Sequence, residues 1–287
     1  MRTFLRFPGG LAKAFTMSYD DGIKQDERFI GICDKYGIRA TFNLNTVHLD
    51  ERAKAYDLFT PEKALQVYHE GHEVAMHGNS HAFFELLPDD NLLYEVLENR
   101  RQIEKIFHRP VRGMAYPWGT YSEKTIDVLR RANVAYSRTV WSSEKFDLPT
   151  EWLKWHPTCH HGTPKLNELA DKFLGTVPNA APWKKTPYLF YVWGHTYEFD
   201  ANPSCWENIE KFCEKIGGKE DVFYATNGEI YDYCTAYDRL EFTLDGTAVY
   251  NPTRFEIYFE VIDDYTKENY LCMIKPGETH ELTDIKI

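Results

Sequence analysis

Thr16-Met17-Ser18-Tyr19-Asp20-Asp21-Gly22 is the stretch on which the interpretation of the whole sequence depends. A β-prone run leads to two adjacent carboxylates, and a glycine follows them. Neighbouring carboxylates repel each other, so burying both is costly unless a positive charge lies beside them. At the end of a buried strand a metal ion would supply that charge, with one aspartate as ligand and the other as proton acceptor. Asp-Asp-Gly is also an ordinary surface turn, so the interpretation depends on partners elsewhere in the chain.

The composition is typical of an acidic α/β enzyme. The 287 residues suffice for one large domain or for a domain with an appendage, and 43% of them are hydrophobic. The net charge of −11, together with the lack of a basic stripe in the sequence, argues against a nucleic-acid partner.

The sequence favours a cytoplasmic protein without a membrane partner. We find no apolar run of the length that a signal peptide or a membrane span needs. Six cysteines occur without Cys-x-x-Cys spacing, which is more typical of reduced thiols than of disulfides or zinc ligands. The oligomeric state, including a homo-oligomer, is left open.

Short β-prone runs alternate with longer helical patterns, which predicts a parallel sheet or barrel. Strands are expected at about residues 14–20, 39–45, 73–77, 113–116, 135–140, 188–193 and 222–226. Helices are expected at about residues 26–36, 61–70, 89–107, 122–133, 166–174, 204–216 and 229–239. Seven β/α repeats favour a barrel over an open doubly wound sheet. No glycine-rich loop follows the first strand, which disfavours a dinucleotide or P-loop site.

The pattern changes after residue 239. Residues 240–287 show alternating strands and turn signals without a convincing helix. We therefore divide the chain into a catalytic unit, residues 1–239, and a small β-rich C-terminal extension, residues 240–287.

Candidate chemical groups collect at the predicted strand ends, where active groups of parallel α/β proteins lie. His77-Gly-Asn-Ser-His81 follows the third strand and places two imidazoles four residues apart, so that both can bind one metal ion. His195 follows the sixth strand, and Arg138 lies at the end of the fifth. Two histidines and one carboxylate would leave positions open for water and substrate, as in catalytic metal sites.

These motifs resemble those of a known family. Asp20-Asp21-Gly22, His77-Gly-Asn-Ser-His81, Ala115-Tyr-Pro-Trp-Gly119 and His195 are similar, in order and spacing, to motifs of the polysaccharide deacetylase family. This is the NodB-homology group, carbohydrate esterase family 4. The resemblance covers about residues 10–235 and implies an α/β fold, a distorted (β/α)7-type barrel.

The resemblance also implies roles for individual residues. Asp21, His77 and His81 match the family's metal ligands, which hold one divalent transition metal ion, Zn2+ first and Co2+, Ni2+ or Mn2+ as alternatives. Asp20 matches the general base and His195 the general acid. The implied reaction is hydrolysis of a linear, non-peptide amide, with N-deacetylation of an amino sugar or polysaccharide preferred.

Two departures from the family pattern stand out. Many members carry an arginine in the third motif, where this chain has Ala115. We expect Arg138 to supply the guanidinium, with Arg112 as a weaker candidate. The Asp-Trp pattern of the fourth motif, which tunes the acid histidine, is not evident.

Aromatic and histidine side chains near the strand ends are candidates for substrate contact. Tyr116, Trp118, Trp193 and His160 are assigned that role, although strand-end aromatics are as often packing residues. We interpret residues 155–161, which contain three histidines, as a loop over the site rather than a second metal cluster.

Two alternative functions are kept. One is a deformylase or allantoinase-like amidase acting on a small non-sugar amide. The other is a non-catalytic carbohydrate-binding protein, which would not need the complete set of base, acid and metal ligands.

Overall fold

The computed structural model describes residues 2–47, 60–68, 71–177, 186–262 and 269–285. Its strands are β1 (Arg2–Arg6), β2 (Lys13–Asp21), β3 (Ala40–Leu44), β4 (Glu73–Met76), β5 (Gly113–Ala115), β6 (Tyr136–Arg138), β7 (Cys159–His160), β8 (Tyr188–Gly194), β9 (Val222–Tyr224), β10 (Glu241–Phe242), β11 (Ala248–Tyr250), β12 (Ile257–Ile262), β13 (Asn269–Ile274) and β14 (Thr279–Glu281). Its α-helices are α1 (Gln25–Lys35), α2 (Pro61–Val67), α3 (Asp89–Phe107), α4 (Glu123–Arg131), α5 (Leu166–Leu174), α6 (Pro203–Ile216) and α7 (Asn227–Tyr237).

Strand β2 is the centre of the main sheet. Every residue from Lys13 to Asp20 is buried, as expected for a strand covered on both faces. β2 pairs in parallel with β3, β8 and β9, and β9 pairs only with its first three residues, Lys13–Phe15. Asp20 is in register with Asn43 of β3. The two aspartates therefore lie at the carboxyl end of the longest strand in this sheet.

The main sheet curls into a barrel. Its strand order is β6-β5-β4-β3-β2-β8-β7, with β9 beside β2. The two ends of this order meet at Trp155, which forms an isolated parallel bridge with Arg138 of β6. Four residues later, the same segment becomes β7 and pairs with β8. The predicted distorted (β/α)7-type fold is confirmed, although β7 itself was not predicted.

The helices largely follow their predicted bounds because their ends carry clear signals. α4 begins after Ser122, whose hydroxyl accepts from the Thr125 N–H in a capping box. α2 begins at Pro61 and ends at Val67, earlier than predicted, and the expected end at Glu70 lies outside the described residues. Within the described residues, no helix has both the length and the apolar character needed to cross a membrane.

The C-terminal extension and β1 form two small antiparallel sheets. Their strand orders are β1-β12-β13 and β10-β11-β14. β1 lies within the predicted catalytic unit, residues 1–239, yet it pairs antiparallel with β12 of the extension. The extension and the barrel share one core, in which Phe259 and Val261 cluster with Leu189 and Tyr191 of β8.

Candidate metal centre

The predicted chemical groups meet in one cavity at the carboxyl ends of the strands. The cavity has a volume of about 800 Å³. Its lining residues are Asp20, Asp21, Ile23, Gln25, His77, His81, Tyr116, Trp118, Gly119, Val140, Trp193, His195 and Tyr197. Eight of these were assigned from the sequence, and they lie at or after the carboxyl ends of four strands, β2, β4, β5 and β8. Parallel strands bring such distant positions together because their carboxyl ends lie on one side of the sheet.

Asp21, His77 and His81 form a compact group of possible ligands. Nε2 of each histidine lies 3.7 Å from Asp21 Oδ1. Two ligands about 2.1 Å from a tetrahedral ion are about 3.4 Å apart, so one divalent ion fits between them. His77 Nδ1 lies 2.9 Å from the Ala115 carbonyl oxygen, which can only accept. In the neutral ring the proton is therefore on Nδ1, and Nε2 presents its lone pair to the site.

Backbone conformation and hydrogen bonds hold these ligands in place. Asp21 and His81 have φ angles of 79° and 58°, which are uncommon for residues other than glycine. Asn45 donates from Nδ2 to Asp21 Oδ1 at 2.8 Å. A carboxylate oxygen can accept more than one interaction, so Asp21 Oδ1 can be oriented by Asn45 and still face the two imidazoles as a ligand atom.

Asp20 is buried and paired with Arg138. Arg138, which has no exposed surface, donates from Nη2 to Asp20 Oδ2, and Asn43 donates to Oδ1 at 2.9 Å. The guanidinium also lies 4.5 Å above the Trp193 ring. The structure thus brings Arg138 to the aspartate that the family's third-motif arginine would contact. Arg112 instead pairs with Asp232 near the opposite end of the strands, 2.7 Å away.

Electrostatics keeps Asp20 ionised. Burial alone would raise its pKa, but the charges of Arg138, His77 and His195 outweigh burial and lower the pKa to about 2. At neutral pH, Asp20 is therefore a carboxylate that can accept a proton.

His195 lies beside Asp20 and lines the same cavity as His77. Its Nε2 is 3.9 Å from Asp20 Oδ2, and its Nδ1 is 2.7 Å from Glu198 Oε1. Burial tends to lower the pKa of His195, but the hydrogen bond to Glu198 and the charges of Asp20 and Asp21 raise it overall. The protonated form of His195 is therefore favoured at the site.

Glu198 contacts two further histidines. Its Oε1 lies 3.3 Å from His160 Nε2, and its Oε2 lies 3.3 Å from His161 Nε2. His160, predicted as a substrate contact, is not among the described residues that line the cavity. Its side chain faces Glu198 because β7 turns it toward the segment that follows His195.

The aromatic side chains that were predicted to contact the substrate differ in how exposed they are. Trp118 is 55% exposed and stacks on Phe83, with ring centroids 4.7 Å apart. Trp193 is mostly buried below Arg138, and one side of it reaches the cavity. Tyr116 is also buried; its hydroxyl donates to Leu153 and its N–H donates to Arg138. That N–H is therefore not free to stabilise an oxyanion.

Sequence reasoning missed Asn43, Asn45 and Glu198. The two asparagines lie in and after β3, beside Asp20 and Asp21, and the register of β2 with β3 could have placed them there. Glu198 follows His195 by three residues in a 3-10 turn. Residues three apart eclipse in this conformation, so the His195-Thr-Tyr-Glu198 spacing was the available signal.

Comparison with known proteins agrees with the motifs. Residues 9–137 match the family described as polysaccharide deacetylase, in agreement with the family that the motifs indicated. Among curated proteins, none matches the chain.

Solved structures share the fold. A protein from Mycobacterium smegmatis described as a polysaccharide deacetylase aligns over 82% of this chain and 94% of its own, with a TM-score of 0.60 and 16% identity. The peptidoglycan deacetylase PdaC from Bacillus subtilis aligns over 79% and 94%, with a TM-score of 0.50 and 16% identity. A mutant of BA3943, a family 4 pseudoenzyme, aligns over 80% and 70%, with a TM-score of 0.52 and 16% identity. At these identities the likeness is one of fold.

Proposed function

We propose that this chain, whose residues 9–137 match the polysaccharide deacetylase family, is a metal-dependent hydrolase of linear amides that removes the N-acetyl group of an amino sugar. One observation carries the proposal. A base held by Arg138, a ligand triad and an acid held by Glu198 all face one cavity.

Asp21, His77 and His81 would hold the metal ion, and zinc is the first choice for two imidazoles and one carboxylate. When bound, a divalent ion supplies Lewis acidity, which lowers the pKa of water toward ~7 and polarises an acyl oxygen. The tautomer of His77 and the bond from Asn45 to Asp21 agree with this role because both orient ligand atoms toward the centre.

Asp20 is the proton acceptor in this proposal. Arg138 and Asn43 contact its two oxygens, so the carboxylate is oriented before substrate arrives. A carboxylate with a pKa near 2 is a weak base. It takes a proton efficiently only from an acidified water, which agrees with a metal requirement.

His195 is the proton donor. An amine cannot leave as an anion, so the nitrogen of the scissile amide must receive a proton. His195 has its Nε2 toward the cavity and its Nδ1 on Glu198. The raised pKa of His195 increases the protonated fraction at neutral pH.

Exposed aromatic rings at the cavity support a sugar substrate. Trp118 and Tyr197, 55% and 48% exposed, flank the ligand triad and His195. Their faces can stack on the apolar face of a pyranose ring. The missing third-motif arginine had left a small non-sugar amide as an alternative. The contact of Arg138 with Asp20 removes that reason for preferring the alternative.

Metal analysis combined with an amide assay tests this function. We expect about one divalent ion per chain and release of acetate rather than formate from N-acetyl sugars. Asp20→Asn should lower kcat by about 10²–10⁴-fold with metal retained, as for loss of a general base. Asp21→Asn should lose the metal. Glu207→Gln, an exposed carboxylate on α6, is the control.

The alternatives predict other outcomes. Formate release or turnover of a small non-sugar amide alone would favour the amidase. Sugar binding without any amide turnover after metal addition would overturn the hydrolase assignment and favour a non-catalytic binding protein.

A further inference from the structure

Glu198 contacts the imidazoles of His160, His161 and His195 beside the cavity. The chemistry above uses only the contact between Glu198 and His195. We propose that Glu198 is the positioning residue of His195, and that His160 and His161 hold Glu198 in place as hydrogen-bond donors rather than as ligands of a second metal ion. This proposal rests on the proposed function only where it is tested by kinetics.

The bond between His195 and Glu198 fixes the reactive nitrogen of the imidazole. An ionised carboxylate only accepts hydrogen bonds, so His195 Nδ1, 2.7 Å from Oε1, must carry a proton. Nε2 is then the atom whose protonation changes, and it is the nitrogen that faces Asp20. Without the carboxylate, neutral His195 could place its proton on either nitrogen, and only one of these tautomers keeps Nε2 available.

His160 cannot bind a metal ion in the arrangement observed. The Gly162 N–H donates to His160 Nδ1 at 3.0 Å, so Nδ1 holds a lone pair. The neutral ring has a single proton, which is therefore on Nε2, the nitrogen 3.3 Å from Glu198. A metal ion needs a lone pair at the nitrogen that it contacts. His160 Nε2 is thus a donor to Glu198.

His161 is fixed by packing. Its ring stacks on Tyr19 at 5.6 Å with an interplanar angle of 9°. It also lies against the backbone of Gly194, where an added Cβ would come within 1.9 Å of His161 Nδ1. Its Nε2 is directed at Glu198 Oε2 by these contacts. Burial lowers the pKa of His161, which agrees with a neutral ring that donates one proton.

Together the three donors fix both oxygens of Glu198. Two imidazoles contact Oε1 and one contacts Oε2. Although burial would raise the pKa of Glu198, hydrogen bonds from the three histidines hold it well below its usual range. The groups that face His195 from the surrounding elements are Asp20 and Asp21 from β2, Tyr197 and Glu198 from its own turn, and, beyond Glu198, His160 and His161.

Glu198→Gln tests the positioning role because it keeps the shape of the side chain and removes its charge. We expect kcat to fall about 10–100-fold, by analogy with the loss of a carboxylate that orients a metal-bound imidazole. KM should change little because Glu198 is not among the described residues that line the main cavity. The alkaline limb of kcat should move to lower pH, since the imidazolium loses its carboxylate. Glu198→Asp should recover part of the activity, and Glu207→Gln should change nothing.

Side-chain nitrogen NMR of histidine-labelled protein gives a readout that needs no substrate. We expect His195 in the Nδ1–H tautomer and His160 in the Nε2–H tautomer, with the His195 preference lost or reduced in Glu198→Gln. These tautomers would support the positioning role even if no amide were hydrolysed, so failure of the proposed function is distinguishable. An unchanged His195 tautomer and an unchanged pH profile in Glu198→Gln would overturn the proposal.

Metal stoichiometry tests the second half of the proposal. With excess zinc, we expect one tightly bound ion per chain in the wild type, in Glu198→Gln and in His160→Gln. Two ions per chain, one of which is lost in both variants, would overturn the proposal and make this cluster a second metal site.

Discussion

At the scale of single residues, the candidate base depends on a cation from β6. Arg138 is fully buried and contacts Asp20, whereas Arg112 makes a surface pair with Asp232. A buried carboxylate without its cation is strongly disfavoured. The guanidinium therefore does two things, since it keeps Asp20 ionised and fixes its orientation.

Replacing Arg138 should change the pH dependence of the reaction. In Arg138→Met the pKa of Asp20 should rise from about 2, so the acid limb of kcat/KM should move to higher pH. Loss of one member of a buried pair should also cost about 3–5 kcal/mol of stability. A pH–rate profile and urea unfolding measure the two effects, and Arg112→Gln is the matched control. An acid limb that stays in place would show that Arg138 does not set the charge of Asp20.

A second buried carboxyl, that of Asp26, makes the free energy of unfolding depend on pH. Asp26 accepts hydrogen bonds from Thr196 at 2.5 Å and Tyr68 at 2.6 Å. Burial outweighs these bonds and raises its pKa to about 7. Because the folded state binds this proton more tightly, the stabilisation is complete below the unfolded pKa of about 4 and is lost as the pH rises toward 7.

Asp26→Asn should remove this dependence. The free energy of unfolding of the wild type should fall between pH 4 and pH 7 by more than that of the variant. Urea unfolding of both proteins at several pH values provides the difference. Parallel curves for the two proteins would contradict the prediction.

The site residues that could be predicted are those that follow clear strands. Asp20, Asp21 and His77 end β-prone runs, and the i,i+4 spacing adds His81. Glu198 lies in an irregular turn, where no periodicity marks it. Its importance comes from β7, which brings His160 and His161 to it from 37 or 38 residues away.

At the scale of elements, the length and regularity of the apolar pattern decided which helices and strands could be predicted from the sequence. α3 and α5 have the predicted bounds because apolar residues recur at helical spacing. β7 has only two residues, too few for any alternation to be visible. Yet the segment from Trp155 to β7 completes the barrel.

Removing the Trp155 side chain should therefore affect both stability and activity. Trp155 is 1% exposed and packs on Tyr136 and Tyr191, at centroid distances of 5.4 and 4.9 Å. Trp155→Ala should cost about 3–5 kcal/mol. The Trp155 ring holds in place the segment whose backbone pairs with Arg138, so its removal should also lower kcat.

Thermal unfolding and the amide assay measure these effects. Trp141→Ala, which removes a 67% exposed ring, should change stability by about 0.5 kcal/mol or less. Equal effects of the two substitutions would argue against the closing role of Trp155.

At the scale of the whole molecule, β1 joins the extension to the barrel. Arg6 of β1 and Glu260 of β12 form an ion pair with side-chain exposures of 3% and 6%. The same sheet packs on β8 through the shared core. The sequence did not indicate this contact because nothing local links residues so far apart.

Breaking the Arg6–Glu260 pair should destabilise the protein. Glu260→Ala leaves a buried guanidinium without this carboxylate and should cost about 3–5 kcal/mol. Glu210→Ala, which breaks the exposed pair with Lys35 at 2.7 Å, should cost less than about 1 kcal/mol. Urea unfolding compares them, and similar losses would mean that the buried pair does not stabilise the contact between β1 and β12.

The pairing of β1 with β12 also sets an order of events during synthesis. Arg6 and Glu260 are 254 residues apart, so the ribosome has made the barrel strands before it makes the partner of β1. Contacts of such separation form late and slow folding, since a large loop must close first. Until then, β1 lacks its β12 partner and exposes a strand edge. A ribosome stalled before β12 emerges should therefore display a barrel whose β1 is open to protease.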